Sequence, residues 1–152
     1  MTSINIRTLA LHEPLPMHLL LLADPIEDFI FAYIHNSQIF VAEQEKEAVG
    51  VLVLQQRGDA AELMNVGVAE KAQGQGIGRQ LVEHAMEQAR QKSIKQLIVC
   101  TGNSSLPALA LYKSCGFSVE SIDKDYFLHN YPEPIIENGL PCTDRIKLRL
   151  EL

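Results

Sequence analysis

The sequence predicts an α/β (α+β) fold: a mixed, mostly antiparallel sheet with a central parallel pair. Three observations lead to it. Residues 38–43, 48–56 and 61–68 are β-rich runs separated by short turn signals, which reads as an antiparallel meander. The clearest helix, residues 76–92, stands between that meander and the next β-run, residues 96–101, and a connection of this length lets the new strand run parallel to the one before it. The length of 152 residues, 47% of them hydrophobic, suits one domain that buries its own core without disulfides or a structural metal. No Pro, Gly or Ser tract and no like-charge run divides it, so residues 1–152 are read as a single domain.

In chain order, residues 4–9 alternate polar and apolar, which puts Ile4 and Ile6 on one face of a first strand that ends before Pro14 and Pro16. Residues 17–23 form a short apolar helix. Asp24 and Pro25 read as the N-cap and first position of a second helix reaching about His35, with Ile26, Phe29, Ile30, Tyr33 and Ile34 at helical spacing. The meander follows, with turns at Glu45-Lys46-Glu47 and Arg57-Gly58-Asp59. Gly67 inside its third strand signals a bulge or a close approach of another backbone.

In residues 76–92, Ile77, Leu81, Val82, Ala85, Met86 and Ala89 recur at three- and four-residue steps. The compact apolar run 96–101 predicts a strand buried on both faces. A helix over 106–114 stops at Cys115-Gly116. Residues 117–122 and 145–150 are the last two strands, the second alternating Ile146, Leu148 and Leu150 with charged residues, and residues 126–142 between them read as a long irregular stretch. The order is β-α-α-β-β-β-α-β-α-β-β, without an internal repeat.

Composition excludes several classes of function. With 19 acidic against 13 basic side chains and a net charge of −6, the chain lacks the basic footprint of a nucleic-acid partner; the balance fits a cationic ligand, or solubility alone. Residues 19–23 are too short an apolar run to cross a bilayer, and residues 1–7 lack the charged and apolar regions of a leader, so neither membrane nor secretion is expected. Cys100, Cys115 and Cys142 are odd in number and lack metal-ligand spacing, which predicts a reducing cytoplasm and no metal.

The segment Gln73-Gly74-Gln75-Gly76-Ile77-Gly78 lies between a strand and the long helix. Glycines there let successive backbone N–H groups converge, and the helix N-terminus adds its positive dipole end, so the place suits a phosphate or pyrophosphate. No lysine follows the last glycine, as a Walker A loop would require, and Gly78 breaks the spacing of a dinucleotide fingerprint. A turn that does no more than enter the helix is the other reading.

The pattern Gln73-x-x-Gly76-x-Gly78 resembles the Q/R-x-x-G-x-G/A signature of the GNAT superfamily of N-acetyltransferases, and residues 103–117, from Asn103 through Leu111-Tyr112 to Gly116-Phe117, resemble that family's N-x-x-A-x-x-L-Y-x-x-x-G-F segment. The order of elements is also the family's. The resemblance implies acetyl-coenzyme A as cosubstrate, with Gln73, Gly74, Gln75, Gly76, Ile77, Gly78 and Arg79 around its pyrophosphate. It further implies that the backbone of Val66 and Val68 pairs with the pantetheine arm, that Gly67 marks the strand bulge, and that Asn103 and Tyr112 contact the cofactor.

Attack of an amine on a thioester makes an oxyanion, which a fixed N–H, here that of Val66, stabilises at little reorganisation cost. Tyr112 is the candidate general acid for the departing thiolate, or a packing tyrosine on its helix. An alkylammonium of pKa about 10 must lose a proton before it attacks, and Glu62 is the candidate base, or a solvated strand carboxylate. His84, His129 and Cys100 are read as structural. Residues 125–142 contain no Lys or Arg, and their carboxylates and aromatics suit a cationic amine, so Asp125, Tyr126, Glu133 and Glu137 are candidate acceptor residues; a dimer contact or plain surface connection is the alternative. The expected function is transfer of acetyl to a primary amine of a small molecule (polyamine, aminoglycoside or amino-acid-like) within a ternary complex, by a monomer or homodimer. The alternatives are a protein or peptide N-acetyltransferase and a non-catalytic acyl-coenzyme A-binding protein.

Overall fold

The computed structural model describes residues 3–152; Met1 and Thr2, part of the expected domain and of the segment read for a leader, lie outside them. The chain runs β1 (Ile4–Thr8), α1 (Met17–Ala23), α2 (Glu27–Ile34), β2 (Gln38–Gln44), β3 (Glu47–Arg57), β4 (Ala60–Val68), α3 (Ile77–Gln91), β5 (Gln96–Gly102), α4 (Leu106–Ser114), β6 (Ser118–Asp123), α5 (Tyr126–Asn130), β7 (Ile135–Glu137), β8 (Leu140–Cys142) and β9 (Arg145–Glu151). Seven strands form one sheet in the order β1-β2-β3-β4-β5-β9-β6, and β7 and β8 form a separate hairpin. All pairs in the large sheet are antiparallel except β4 with β5, which are parallel as the crossover through α3 predicts.

Apolar residues on successive strand positions feed two cores. Phe40 and Leu52 point to the side of α3 and α4, joining Leu81, Leu97 and Leu148, whereas Val41, Val51 and Val53 point to α1 and α2, joining Leu19, Leu20 and Ile30. The strand buried on both faces is therefore β3, whose residues 49–54 are all buried. The expectation for residues 96–101 is corrected: Leu97 and Val99 are buried, while Ile98 and Cys100 are only partly so, because α1 and α2 cover β3 and β4 and leave that face of β5 open.

The turn between β2 and β3 places Glu45 at φ 53° and Lys46 at φ 68°, the left-handed pair of a two-residue hairpin whose twist matches the strands. Asp24 does not cap α2 as predicted. It follows α1 directly, α2 begins at Glu27, and the Asp24 carboxylate instead receives the Ile26 N–H and the Tyr131 hydroxyl. Residues 126–142 are not irregular: they form α5 and the β7–β8 hairpin, short elements whose burial depends on the parent sheet rather than on their own periodicity.

The expected bulge exists, but at Met64 and not at Gly67. Val53 pairs with Asn65 and Leu54 with Leu63, so Met64 is the extra residue, while Gly67 pairs regularly with Val51. Ala61 and Leu63 join the α3 core, Met64 packs against the α1–α2 core, and the Asn65 amide bonds the Leu20 carbonyl of α1. Two consecutive side chains thus face the α1 side, and Val66 and Val68 return to the α3 side. Gly67 answers the other half of the expectation: a Cβ there would stand 2.5 Å from the Leu19 carbonyl oxygen.

Gly67→Ala is expected to lower stability by about 1–3 kcal/mol, since backbone would have to yield. Urea titration of both proteins measures it, and equal midpoints would show that α1 retreats at no cost.

Candidate active site

Pairing of β4 with β5 runs from Ala60 opposite Gln96 to Leu63 opposite Val99 and stops there, although β4 continues to Val68 and β5 to Gly102. The last paired residue of β4 immediately precedes the bulge. Beyond it, backbone groups of residues 65–68 that face away from β3 have no strand partner, and a cavity of about 700 Å³ opens between the parting strands. Glu62 to Val66 form one wall and Val99 to Gly102 the other. Asp24, Phe29 and Tyr33 close one end, and Tyr126, Phe127 and Tyr131 cover it from α5 and the residue after it.

The glycine loop follows β4 through a 3-10 turn, Glu70–Ala72. Gly74 at φ 79° and Gly76 at φ 80° adopt left-handed backbone that other residues enter only under strain, and a Cβ at either would meet open space. Within α3 the first hydrogen bond is Gln80 N–H to the Gly76 carbonyl at 3.0 Å. The amides of Ile77, Gly78 and Arg79 precede it and have no acceptor in the helix, so they supply donors and a positive dipole end to an anion. The Ile77 side chain is core, and its contribution is its amide alone. Gly78 serves packing, because a Cβ there would come within 3.2 Å of Leu111 on α4. Around the loop, Gln73 donates to the Val68 carbonyl at 3.0 Å, Gln75 accepts from Gln44 at 3.0 Å, and Arg79 bonds Glu83 and Ser114, each at 3.1 Å.

Tyr112 on α4 lines the cavity at 5% exposure, its ring edge-on to Phe117 with centroids 5.9 Å apart. Burial pushes its phenol far above the ordinary value, so it holds its proton at neutral pH. Glu62 also lines the cavity and receives Arg57 at 3.1 Å. The Cys100 thiol is pushed up by burial and by the charge of Glu62, which keeps it protonated rather than nucleophilic.

Residues 6–117 match the model of the Acetyltransferase (GNAT) family. The chain belongs to that family. It shares 47% identity with the IAA acetyltransferase from Bacillus cereus ATCC 14579, with a TM-score of 0.94 over 99% of this chain and 100% of that one. A GNAT family acetyltransferase from Elizabethkingia anophelis with acetyl-CoA bound shares 43%, with a TM-score of 0.94 over 98% of each chain. The N-acetyltransferase YvbK of Bacillus subtilis (strain 168), described as uncharacterized, is 42% identical over 135 residues, 88% of this chain and 87% of its own. The predicted fold, an acetyltransferase activity and acetyl-coenzyme A as its cosubstrate are therefore borne out for this GNAT chain, whose loop amides and open β4 edge fit an anionic carrier with an extended arm.

The GNAT frame brings Val66, Tyr112, Glu62, Tyr126 and Glu137 to one cavity and leaves other predicted residues outside it. Asn103 is away from the glycine loop, with its amide spent on the turn before β9: Oδ1 accepts from Thr143 N–H at 2.9 Å and Asp144 N–H at 3.0 Å, and Nδ2 donates to the Pro141 carbonyl at 3.3 Å. Asp125 starts α5 at φ 59° and Glu133 is exposed; neither lines the cavity. Glu137 does, accepting from Ser105 at 3.1 Å and Ser104 at 3.4 Å. His84 lies against Phe40, with centroids 4.9 Å apart, outside the cavity.

Asp24, Tyr33, Asn65 and Arg145 are among the cavity residues that the sequence does not single out as site candidates. Asp24 resembled a helix cap, and Asn65 was hidden in an apolar strand. Arg145 lies three residues past the segment noted for having no basic side chain, and its guanidinium stands 4.0 Å over the Tyr126 ring while pairing with Asp123. Among the described residues no group of three His, Cys, Asp or Glu side chains is placed to hold a metal ion, and no helix is long and apolar enough to cross a membrane.

Gly76→Val is expected to abolish coenzyme A binding while the protein stays folded. The new side chain would strain a left-handed position by about 1–2 kcal/mol and project into the loop's open space. Calorimetry with coenzyme A, beside a circular dichroism spectrum, measures both; unchanged affinity would remove the loop from the cofactor site.

Proposed function

We propose that this acetyltransferase acts on a primary amine of a small cationic molecule, which occupies the cavity while acetyl-coenzyme A lies along the open edge of β4. The observation that carries this reading is the junction of two features at one point. The stretch of β4 past its pairing with β5, at Asn65 and Val66, and the buried Tyr112 line one cavity of about 700 Å³, a size that suits a small ligand. Covering of the cavity by α5 and Tyr131 favours a compact acceptor over an extended peptide. Three carboxylates, Asp24, Glu62 and Glu137, against the one guanidinium of Arg145 favour a cation.

The acceptor nitrogen, once deprotonated, attacks the thioester carbonyl carbon. Its C–N bond forms as the carbonyl oxygen takes negative charge, which the Val66 amide stabilises. The ammonium proton goes to solvent before attack, and Glu62, directly or through water, takes the second proton as the C–N bond forms; solvent later reprotonates Tyr112. Collapse breaks the C–S bond, and Tyr112 gives its proton to the thiolate sulfur, leaving the acetylated amine and free thiol.

Screening polyamines, aminoglycosides, amino acids and peptides for coenzyme A release tests the acceptor class; release with peptides alone would overturn it, and cofactor binding without release from any would leave a non-catalytic binder. Tyr112→Phe is expected to lower kcat by about 10²–10⁴-fold with acetyl-coenzyme A affinity unchanged. Equal turnover would remove Tyr112 as the acid. Because burial raises its pKa, the acid form persists at high pH, and the wild-type rate should show no alkaline decline from tyrosine ionisation at about pH 10, where an ordinary tyrosine titrates. A pH–rate profile measures this.

A further inference from the structure

Asn65 carries an unmet bonding capacity at the cavity wall. It is 3% exposed, and its amide hydrogens are both committed, to the Leu20 carbonyl at 2.9 Å and the Tyr33 hydroxyl at 3.0 Å. A carbonyl oxygen can only accept, so the Leu20 contact fixes which end of the amide is nitrogen. The other end, Oδ1, is buried without a partner. A buried amide oxygen in this state calls for a donor.

Asp24 lies close by. Its Oδ1 receives the Tyr131 hydroxyl at 3.3 Å and the carboxylate also takes the Ile26 N–H, but both donors are neutral, and no cation pairs with it among the described residues. The Tyr33 hydroxyl accepts from Asn65, and its pKa is pushed up to about 12, chiefly by burial and also by the charge of Asp24. Burial likewise raises the Asp24 carboxyl. Phe29 and Phe127 pack against Tyr131 at 4.9 Å and 5.3 Å between ring centroids, so apolar ring surface adjoins the carboxylate.

We propose that Asp24 and Asn65 form a subsite for a second, protonated nitrogen of the acceptor, which is therefore a diamine or a longer polyamine. This rests on the amine-acetylating reading above and specifies it. An ammonium supplies several donors and a positive charge, one donor for Asn65 Oδ1 and the charge for Asp24, while methylenes and cation both suit the aromatic rings. The nitrogen bound there is not the nucleophile, because a neighbouring carboxylate favours its protonated form and removes the lone pair needed for attack. The attacking nitrogen is the other one, toward Val66 and Tyr112.

Calorimetry on the coenzyme A-saturated protein tests the subsite without requiring turnover, with 1,4-diaminobutane and n-butylamine as probes. The diamine is expected to bind about ten-fold more tightly than the monoamine, the scale of one added charge-assisted hydrogen bond. Asp24→Asn, which keeps an oxygen for Tyr131 and Ile26, is expected to erase that difference by weakening the diamine more than butylamine. Equal binding of the two probes by wild type would overturn the subsite, and so would an equal loss for both in the variant. The wild-type comparison stands even where the variant misfolds. Coenzyme A release separates the two levels: selective diamine binding without release leaves the subsite and removes the proposed reaction, and release from both amines without selectivity does the reverse.

Discussion

One extra residue in β4 governs the arrangement of the site. A strand in regular pairing alternates its faces without exception, so an inserted residue exchanges the faces of everything beyond it. Met64 is that residue. Without the bulge, with Met64 in regular alternation, Asn65 would turn toward α3 and Val66 toward α1. With it, the amide of Asn65 reaches the α1 carbonyl and the cavity wall, and the two valines pack into the α3 core. The strand partner departs at the same point, since β5 pairs no further than Val99. Bulge and splay together turn an interior strand into one with an accessible backbone edge, while β3 keeps it rigid from the other side.

The surrounding cover follows from that opening. Helix α1 approaches β4 closely enough that only glycine fits at position 67, and the chain after α1 delivers Asp24 and Phe29 to one end of the cavity. From the far edge of the sheet, α5 and Tyr131 come across to meet them, with Tyr131 touching both Asp24 and Phe29. Asn103 secures the return of this excursion by holding the two amides before β9. The segment is kept in place by aromatic contacts and by polar bonds at its ends.

What could be read in the sequence was whatever had local periodicity or local backbone chemistry. Alternation in β1 and β9, the helical spacing of Ile77, Leu81 and Ala85, and the glycines at 74 and 76 specify their conformations within a few residues, and the crossover length specified the parallel pair. The bulge was anticipated three residues late, because Gly67 is the visible anomaly in that strand, whereas Met64 looks ordinary and is extra only relative to β3. Asp24 has the composition of a helix cap, and a tertiary partner, Tyr131, 107 residues away, takes part of its bonding. Arg145 and Asn65 belong to the cavity through pairing across strands, which no local pattern records.

The close packing at Gly78 has a consequence for the acyl carrier. With no side chain on α3 at that point, Leu111 of α4 sits directly against the helix, and Tyr112 is the next residue. The amides at the head of α3 and the phenol on α4 are thereby held at a set separation, as the ends of a gauge. On the roles proposed for the loop amides and for Tyr112, a carrier whose arm between phosphate and sulfur is shorter than that gauge would leave its thioester short of the phenol, and a longer one would overshoot. Discrimination among acyl donors would then draw on length measured between two helices.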